Sequence, residues 1–538
     1  MFIRRLKKFL YSYPNPELEQ PQQARQAPSP EGKPLSEDLS DSLELLQKSM
    51  GKNTDFVIHY LAFDEESDYK VILCYIDGLV DQLLLSKLLE NLNRLKLDNL
   101  LRADKAPADW LKNQLAIGNI RTIYTEEDLE HAILDGRAVV LVQGMREAFA
   151  VYIAGGSRRA VEEPSSQTVI RGPKEGFTEE ITVNIALLRR KVKSPQLTIE
   201  THVIGTYTRT NVSIAYIEGI ASPEVVKEMT TRIQSIEIDG ILESGYIEEL
   251  IQDGVMSPFP TMYNTERPDT VAGGLLEGLV AVFVDGTPFV LMAPVTFFRF
   301  LTSSEDYYQR FDISSFLRFV RIISFFVALL LPSIFISLTT FHQELLPMPL
   351  LISLAAQREI TPLPTLVEAL LMELTFEVIR EAGVRMPRAI GPAISIVGAL
   401  VLGQAAVQAG LVSAAVVIVV SFTAISNFAL PAINFSSSIR LLRFALMVFS
   451  GSFGLVGVLG VLIPLMAHLV SLESFGVPYL IPMSPFNKTN QKDVLIRAPW
   501  WKMRTRPIMI GDQNQMRQTK DKKSYAELEA GRPRDPLA

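Results

Sequence analysis

The sequence predicts an α/β N-terminal region of two related subdomains, followed by an all-α polytopic transmembrane domain. Three observations predict it. The phrase VILCYIDGLV at 71–80 returns as VSIAYIEGIA at 212–221, and ILDGRAVVLVQG at 133–144 returns as LLEGLVAVFVDG at 275–286. Asp77 and Glu218 stand 141 apart (218 − 77) and Gly136 and Gly278 stand 142 apart (278 − 136), so two matches keep one register, as an internal duplication would. Next, residues 322–341 are uncharged, and no Lys, Arg, Asp or Glu occurs from Ala389 to Ile439 or from Phe444 to Leu472. A helix needs about 20 apolar residues to cross a bilayer core. Last, the mean hydropathy of +0.20 is high for a soluble chain, and the excess lies in that C-terminal region.

The elements follow in order. A head over 1–52 opens with the basic, apolar MFIRRLKKFL and continues through a Pro- and Gln-rich stretch that cannot bury a core, so it is expected to be disordered. Subdomain 1 is expected over 53–155 and subdomain 2 over 156–300, both cytoplasmic. Each places the repeated phrase at the end of a strand, where an acid and a glycine turn the chain into a helix: 81–95 in one copy, 222–236 in the other, with Ser222 as cap and Pro223 in the first turn. Such turns are scaffold more often than ligand pockets. The transmembrane domain is expected over 301–475, with spans at about 319–341, 389–409, 412–433 and 444–470 and an amphipathic helix over 362–382. A basic tail, 476–538, closes the chain. With Arg299, Arg310, Arg318 and Arg321 before the first span and a basic tail after the last, both termini are expected in the cytoplasm. Arg385 and Arg388 oppose that topology. Trp500 and Trp501 suit either the headgroup level or ordinary packing.

The net charge of −7 argues against a nucleic-acid partner. The single cysteine, Cys74, allows no intramolecular disulfide and no paired-cysteine metal site, and reads as a small buried hydrophobe. The five histidines have no ligand spacing, and no catalytic motif or phosphate loop is present, so neither an enzyme nor a cofactor or metal site is expected.

The informative segment is REITPLPTLVEALLMELTFEVIREAGVRMP, 358–387. At helical spacing Glu373, Glu377, Arg380, Glu381 and Arg385 share one face, while Glu368 stands alone on the apolar one. Three roles remain open: an interfacial helix with Glu377–Arg380 and Glu381–Arg385 paired locally, a cap on the bundle, or a pore lining in an oligomer with Glu368, Glu373 and Glu377 as candidates. Gln404, Gln408 and Asn427 are candidates for polar helix contacts, as is the small-residue run 450–457. Pro332 and Pro464 are candidate kinks.

Several motifs then resemble the A subunit of the GerA-type spore germinant receptors: TERPD at 265–269, SEDYY at 304–308, LPSIFISLTTFHQELLP at 331–347, TFEVIREAG at 375–383 and GALVLGQAAVQAGLVS at 398–413. The likeness covers about 50–510. It implies an integral protein of the spore inner membrane with a cytoplasmic α/β part. The implied partners are a permease-like, nutrient-binding B subunit and a lipoprotein C subunit. It also implies a homo-oligomer forming a nutrient-gated cation channel, which favours the pore reading of 358–387. Two alternatives stay open: a secondary transporter, and a non-conducting scaffold or signalling subunit, the latter including the SpoVAF-like branch. TERPD has no derivable chemical role beyond fixing the junction of soluble and membrane parts.

Overall fold

The computed structural model describes residues 33–62, 70–94, 119–155, 163–164, 167–386, 401–487, 490–507, 510 and 514–518. The chain divides into two compact units, one of residues 1–46, 58–76 and 82–154, the other of 47–57, 77–81 and 155–538.

Helix α1 (Leu39–Met50) comes first. Its Leu39, Ser42, Leu46 and Met50 recur at helical spacing and are all buried, so order begins well before residue 53, inside the segment expected to be disordered. The first sheet holds β1 (Phe56–Ala62), β2 (Lys70–Ile76), β3 (Ile120–Ile123), β4 (Arg137–Val142) and β5 (Ala148–Tyr152) in the order β1-β2-β4-β5-β3. Helix α2 (Gln82–Arg94) follows β2, and α3 (Glu126–Leu134), capped by Thr125, packs on β2, β4 and β5. Cys74 is buried in β2, and burial pushes its thiol up to about 12.

The second sheet repeats that plan. After α4 (Ile181–Lys191) come β6 (Leu197–Ile204), β7 (Thr210–Ile217), α5 (Pro223–Gln234), α6 (Ser244–Ile251), β8 (Tyr263–Thr265), α7 (Pro268–Glu277), β9 (Val280–Val284) and β10 (Val290–Ala293). Their order, β6-β7-β9-β10-β8, matches the first sheet strand for strand, and β2–β4, β4–β5 and β5–β3 pair antiparallel, as do β6–β7, β7–β9, β9–β10 and β10–β8. The strand period of two sorts the second sheet's side chains cleanly. Val212, Ile214, Val280 and Val282 pack with α5 and α6, whereas Ala215, Ile217, Ala281 and Phe283 join a cluster shared with α4, α7 and the feet of the C-terminal helices. Ser222 stands at the start of α5 but makes no side-chain cap; Pro223 alone sets that turn.

The turn glycines Gly78 and Gly219 share one left-handed φ, +79°. A Cβ at Gly219 would meet nothing within 4 Å, but at Gly78 it would lie 3.1 Å from the Thr182 carbonyl oxygen. Gly219→Ala is therefore expected to lose about 1–2 kcal/mol from backbone strain alone. Gly78→Ala is expected to lose more, and thermal unfolding of the two variants side by side measures the difference.

Glu248 of α6 is pushed up to about 7, chiefly by burial, against a lowering bond from Asn434. Its folded-state value lies above the unfolded one, so its contribution is full below the unfolded value and is lost as pH rises to about 7. Glu248→Gln is expected to raise the melting temperature at pH 8 and to change it little at pH 4; an equal shift at both pH values would refute the cause.

Beyond the sheets run α8 (Phe311–Thr340), α9 (Met348–Arg358), α10 (Thr365–Arg385), α11 (Ala414–Phe428) and α12 (Ile433–Ser471). Among the described residues two, α8 and α12, are long and apolar enough to cross a membrane. The span expected at 412–433 is the 15-residue α11, short of that length. The span expected at 389–409 lies mostly outside the described residues, which resume with helix at 401–408. Helix α12 breaks at Gly454, with φ 61° and ψ −144°, while Pro464 sits in continuous helix. A Cβ at Gly454 would stand 2.9 Å from the Phe341 Cβ, so the small-residue run lets the end of α8 approach. Ser450 of that run donates to the Ser333 carbonyl at 2.5 Å.

After α12 a two-strand turn, β11 (Glu473–Ser474) and β12 (Val477–Pro478), folds back into the second sheet's core through Phe475. The tail packs through Tyr479, fully buried and donating to the Pro260 carbonyl at 2.8 Å, and again at Arg497, Ala498, Met503 and Ile510, all buried.

Candidate functional site

Helix α10 starts after Pro364 and ends before Pro387, residues that admit a helix only at its edges. It is turned inside out. Val367, Leu371, Leu374 and Val378, at helical spacing, are 41–61% exposed, while Thr365, Glu368, Ala369 and Glu373 are buried. A helix that turns one apolar stripe outward while it buries Glu368 and Glu373 suits apolar surroundings better than water, although Glu381 and Arg385 near its end stay exposed and Leu366, Leu370 and Met372 pack inward.

The inward acids are engaged within the chain. Glu368 Oε2 accepts from the Ser413 amide at 2.8 Å, and Gln357 Oε1 accepts from the Ala415 amide at 3.3 Å. Together they supply acceptors to the first turn of α11, whose positive dipole end favours the carboxylate. Glu373 Oε2 lies 2.8 Å from Arg443 Nη2, both side chains 1% exposed. Glu377 Oε2 accepts from Arg380 Nη2 and from Arg440 Nη1, each at 2.7 Å, and its other oxygen lies 3.8 Å from Arg443. The expected local pairs Glu377–Arg380 and Glu381–Arg385 are both present.

The cluster is not balanced. Three guanidinium groups, Arg380, Arg440 and Arg443, meet two carboxylates, Glu373 and Glu377. Arg443 Nε, Nη1 and Nη2 and both Glu373 oxygens have no aligned hydrogen bond among the described residues, although the Arg443–Glu373 pair is within ionic distance. A buried arginine cannot shed its charge, so such a site calls for water or another polar group.

Of the other sequence candidates, Asn427 is buried on α11, with its Oδ1 lacking a hydrogen-bond partner among the described residues. Gln404 and Gln408 are exposed among the described residues. Arg440 and Arg443, which the sequence reading missed, had a signal. They are the only Lys, Arg, Asp or Glu from Ala389 to Leu472, three residues apart on one helix face.

A second charged cluster anchors the foot of α8. Asp306, 1% exposed, binds Arg318 Nε at 3.1 Å and Arg321 Nη1 at 2.7 Å; Arg318 also reaches Asp493 of the tail at 2.7 Å, and Tyr307 donates to Asp493 at 2.7 Å. TERPD is its neighbour. Arg267 pairs with Asp269 at 2.7 Å and donates to the carbonyls of Gln167 and Pro173, and Tyr308 donates to Asp269 at 2.6 Å. The two motifs thus fasten the linker before α4, the start of α7 and the entry to α8 to one another.

Two like antiparallel sheets are followed by apolar helices, two of them long enough to cross a membrane, around a buried charge cluster. The GerA family model, "Bacillus/Clostridium GerA spore germination protein", matches residues 44–509, and the chain belongs to that family. Spore germination protein KA of Bacillus subtilis is 44% identical over 91% of this chain and 90% of its own. The B. subtilis membrane protein YfkQ is 44% identical over 88% and 92%, and spore germination protein A1 is 40% identical over 76% and 84%. Among solved structures, the N-terminal domain of the A subunit of the Bacillus megaterium spore germinant receptor GerK3 is 37% identical, covering 50% of this chain and 98% of that domain, with a TM-score of 0.39.

Proposed function

We propose that the chain is the A subunit of a nutrient germinant receptor of the spore inner membrane, and that its copies assemble into a cation channel opened when a partner senses a nutrient. The partners are the permease-like B subunit and the lipoprotein C subunit. Both termini lie on the cytoplasmic side, and no enzymatic step is involved. The observation that supports this best is α10, with an apolar stripe exposed and with Glu373 and Glu377 packed against Arg440 and Arg443 of α12. Intramembrane charge at such cost is usually functional. All three acids have partners within the chain, but Glu368 and Glu373 are buried, whereas Glu377 keeps a fifth of its side chain exposed and is the one able to meet an ion path.

Glu377→Gln is expected to slow nutrient-triggered potassium release from spores about tenfold while the protein accumulates normally. Wild-type release would favour the scaffold reading, in which the cluster only holds α10 to α12. Native mass spectrometry of the detergent-purified chain separates the two further: a closed ring of several copies supports a channel, and a monomer opposes it.

A further inference from the structure

The foot of α8 carries an aromatic surface that the proposed channel does not use. Of the charges on its early turns, Arg318 and Arg321 point inward to Asp306 and Asp493, while the exposed Asp312 pairs with Arg310. Its outward side is left to Ile313, Phe316 and Phe319, exposed by 49%, 65% and 58%. The C-terminal tail adds Trp500 and Trp501, 42% and 40% exposed. They are held there. Trp500 Nε1 donates to the Tyr307 carbonyl at 3.3 Å, the Arg497 guanidinium lies 5.3 Å from the Trp500 ring, and Trp501 meets Phe311 edge-on at 5.8 Å. The nearby Arg310 is 75% exposed and pairs with the half-exposed Asp312 at 3.0 Å, and Arg504 is exposed as well.

Length gives this surface a depth. The 30 residues of α8 span about 45 Å at 1.5 Å per residue, whereas a bilayer core is about 30 Å thick and about 40–45 Å with its headgroups. The ends of α8 therefore reach headgroup level, and the indole pair stands at one of them. Indoles favour that layer because the ring is apolar and its N–H polar, and arginines there are drawn to anionic headgroups.

We propose that Trp500, Trp501, Phe311 and Phe316, flanked by Arg310 and Arg504, form a docking surface for the headgroup layer of an anionic bilayer. Through it the tail sets the depth of α8. The inference rests on the reading that α8 crosses a membrane.

The sequence has three tryptophans, so the full chain with Trp110→Phe keeps this pair as its only indoles. It is reconstituted into vesicles of phosphatidylcholine and phosphatidylglycerol, floated to establish insertion, and its emission quenched in three ways: by a headgroup-nitroxide lipid, by a lipid brominated near its chain end, and by aqueous acrylamide. The headgroup quencher is expected to act about twofold more strongly than the chain-end one, and removing phosphatidylglycerol to weaken it. Phe for Trp500 or Trp501 singly is expected to leave a protein that still floats and keeps the same depth ranking. Protein that floats while only acrylamide quenches it would overturn the proposal in favour of a water-exposed tail. Floating protein quenched by none of the three would overturn it in favour of a second copy or partner on the surface. Protein that does not float overturns the membrane reading itself.

Discussion

Replacing Arg443 by methionine is expected to destabilise the chain by about 3–5 kcal/mol, because it leaves Glu373 as a charge buried without its partner. Methionine fills a similar volume, so the loss reports charge rather than a cavity. Glu373→Gln is expected to cost less, since Arg443 keeps Glu377 within 3.8 Å. Joining Arg443→Met to Glu373→Leu removes both charges and is expected to recover most of the loss, as buried pairs replaced by apolar residues often do. The measurement is the melting temperature of detergent-purified protein, followed by size-exclusion after heating. If Arg443→Met melts with the wild type, or the double change is worse than either single one, the pair does not hold α10 to α12.

The second large effect is expected at Phe475→Ala, about 3–5 kcal/mol from the loss of a buried aromatic ring. The ring lies 4.4 Å under the Arg232 guanidinium, which also binds Glu228 and Asp253 at 2.8 Å each. The Phe475 amide donates to Asp253, and the residue holds a left-handed φ of 48°, rare for a side chain of this size. These contacts keep the turn after α12 pinned to α5 and α6. The alanine variant is expected to free the end of α12 from the second sheet, visible as faster proteolysis near residue 475 as well as a lower melting point. Phe475→Leu keeps apolar volume and is expected to lose less. An alanine variant as stable as the wild type would show that the turn is not an anchor.

The two clusters differ in how far they were legible. The acids of α10 were visible because they interrupt an apolar region, and their local pairs follow from helical spacing alone. Their deeper partners were not, because Arg440 and Arg443 lie more than 60 residues away by sequence and only packing brings them to Glu377 and Glu373. The same holds for TERPD and SEDYY. Each reads as a polar motif without a role until Arg267, Asp269 and Tyr308 are seen on one another.

By itself the sequence determined the repeat. Two copies of an apolar strand ending in acid and glycine carry their turn geometry in the local chain, and two sheets of equal strand order follow from it. It also determined where apolar helices run, since hydropathy is a local sum. Only the tertiary structure decided which face of α10 is buried. The amphipathic pattern allows the charged side to look in or out, and the arginines of α12 hold Glu373 and Glu377 inward, because a buried carboxylate left without a partner costs more than an apolar side chain turned outward.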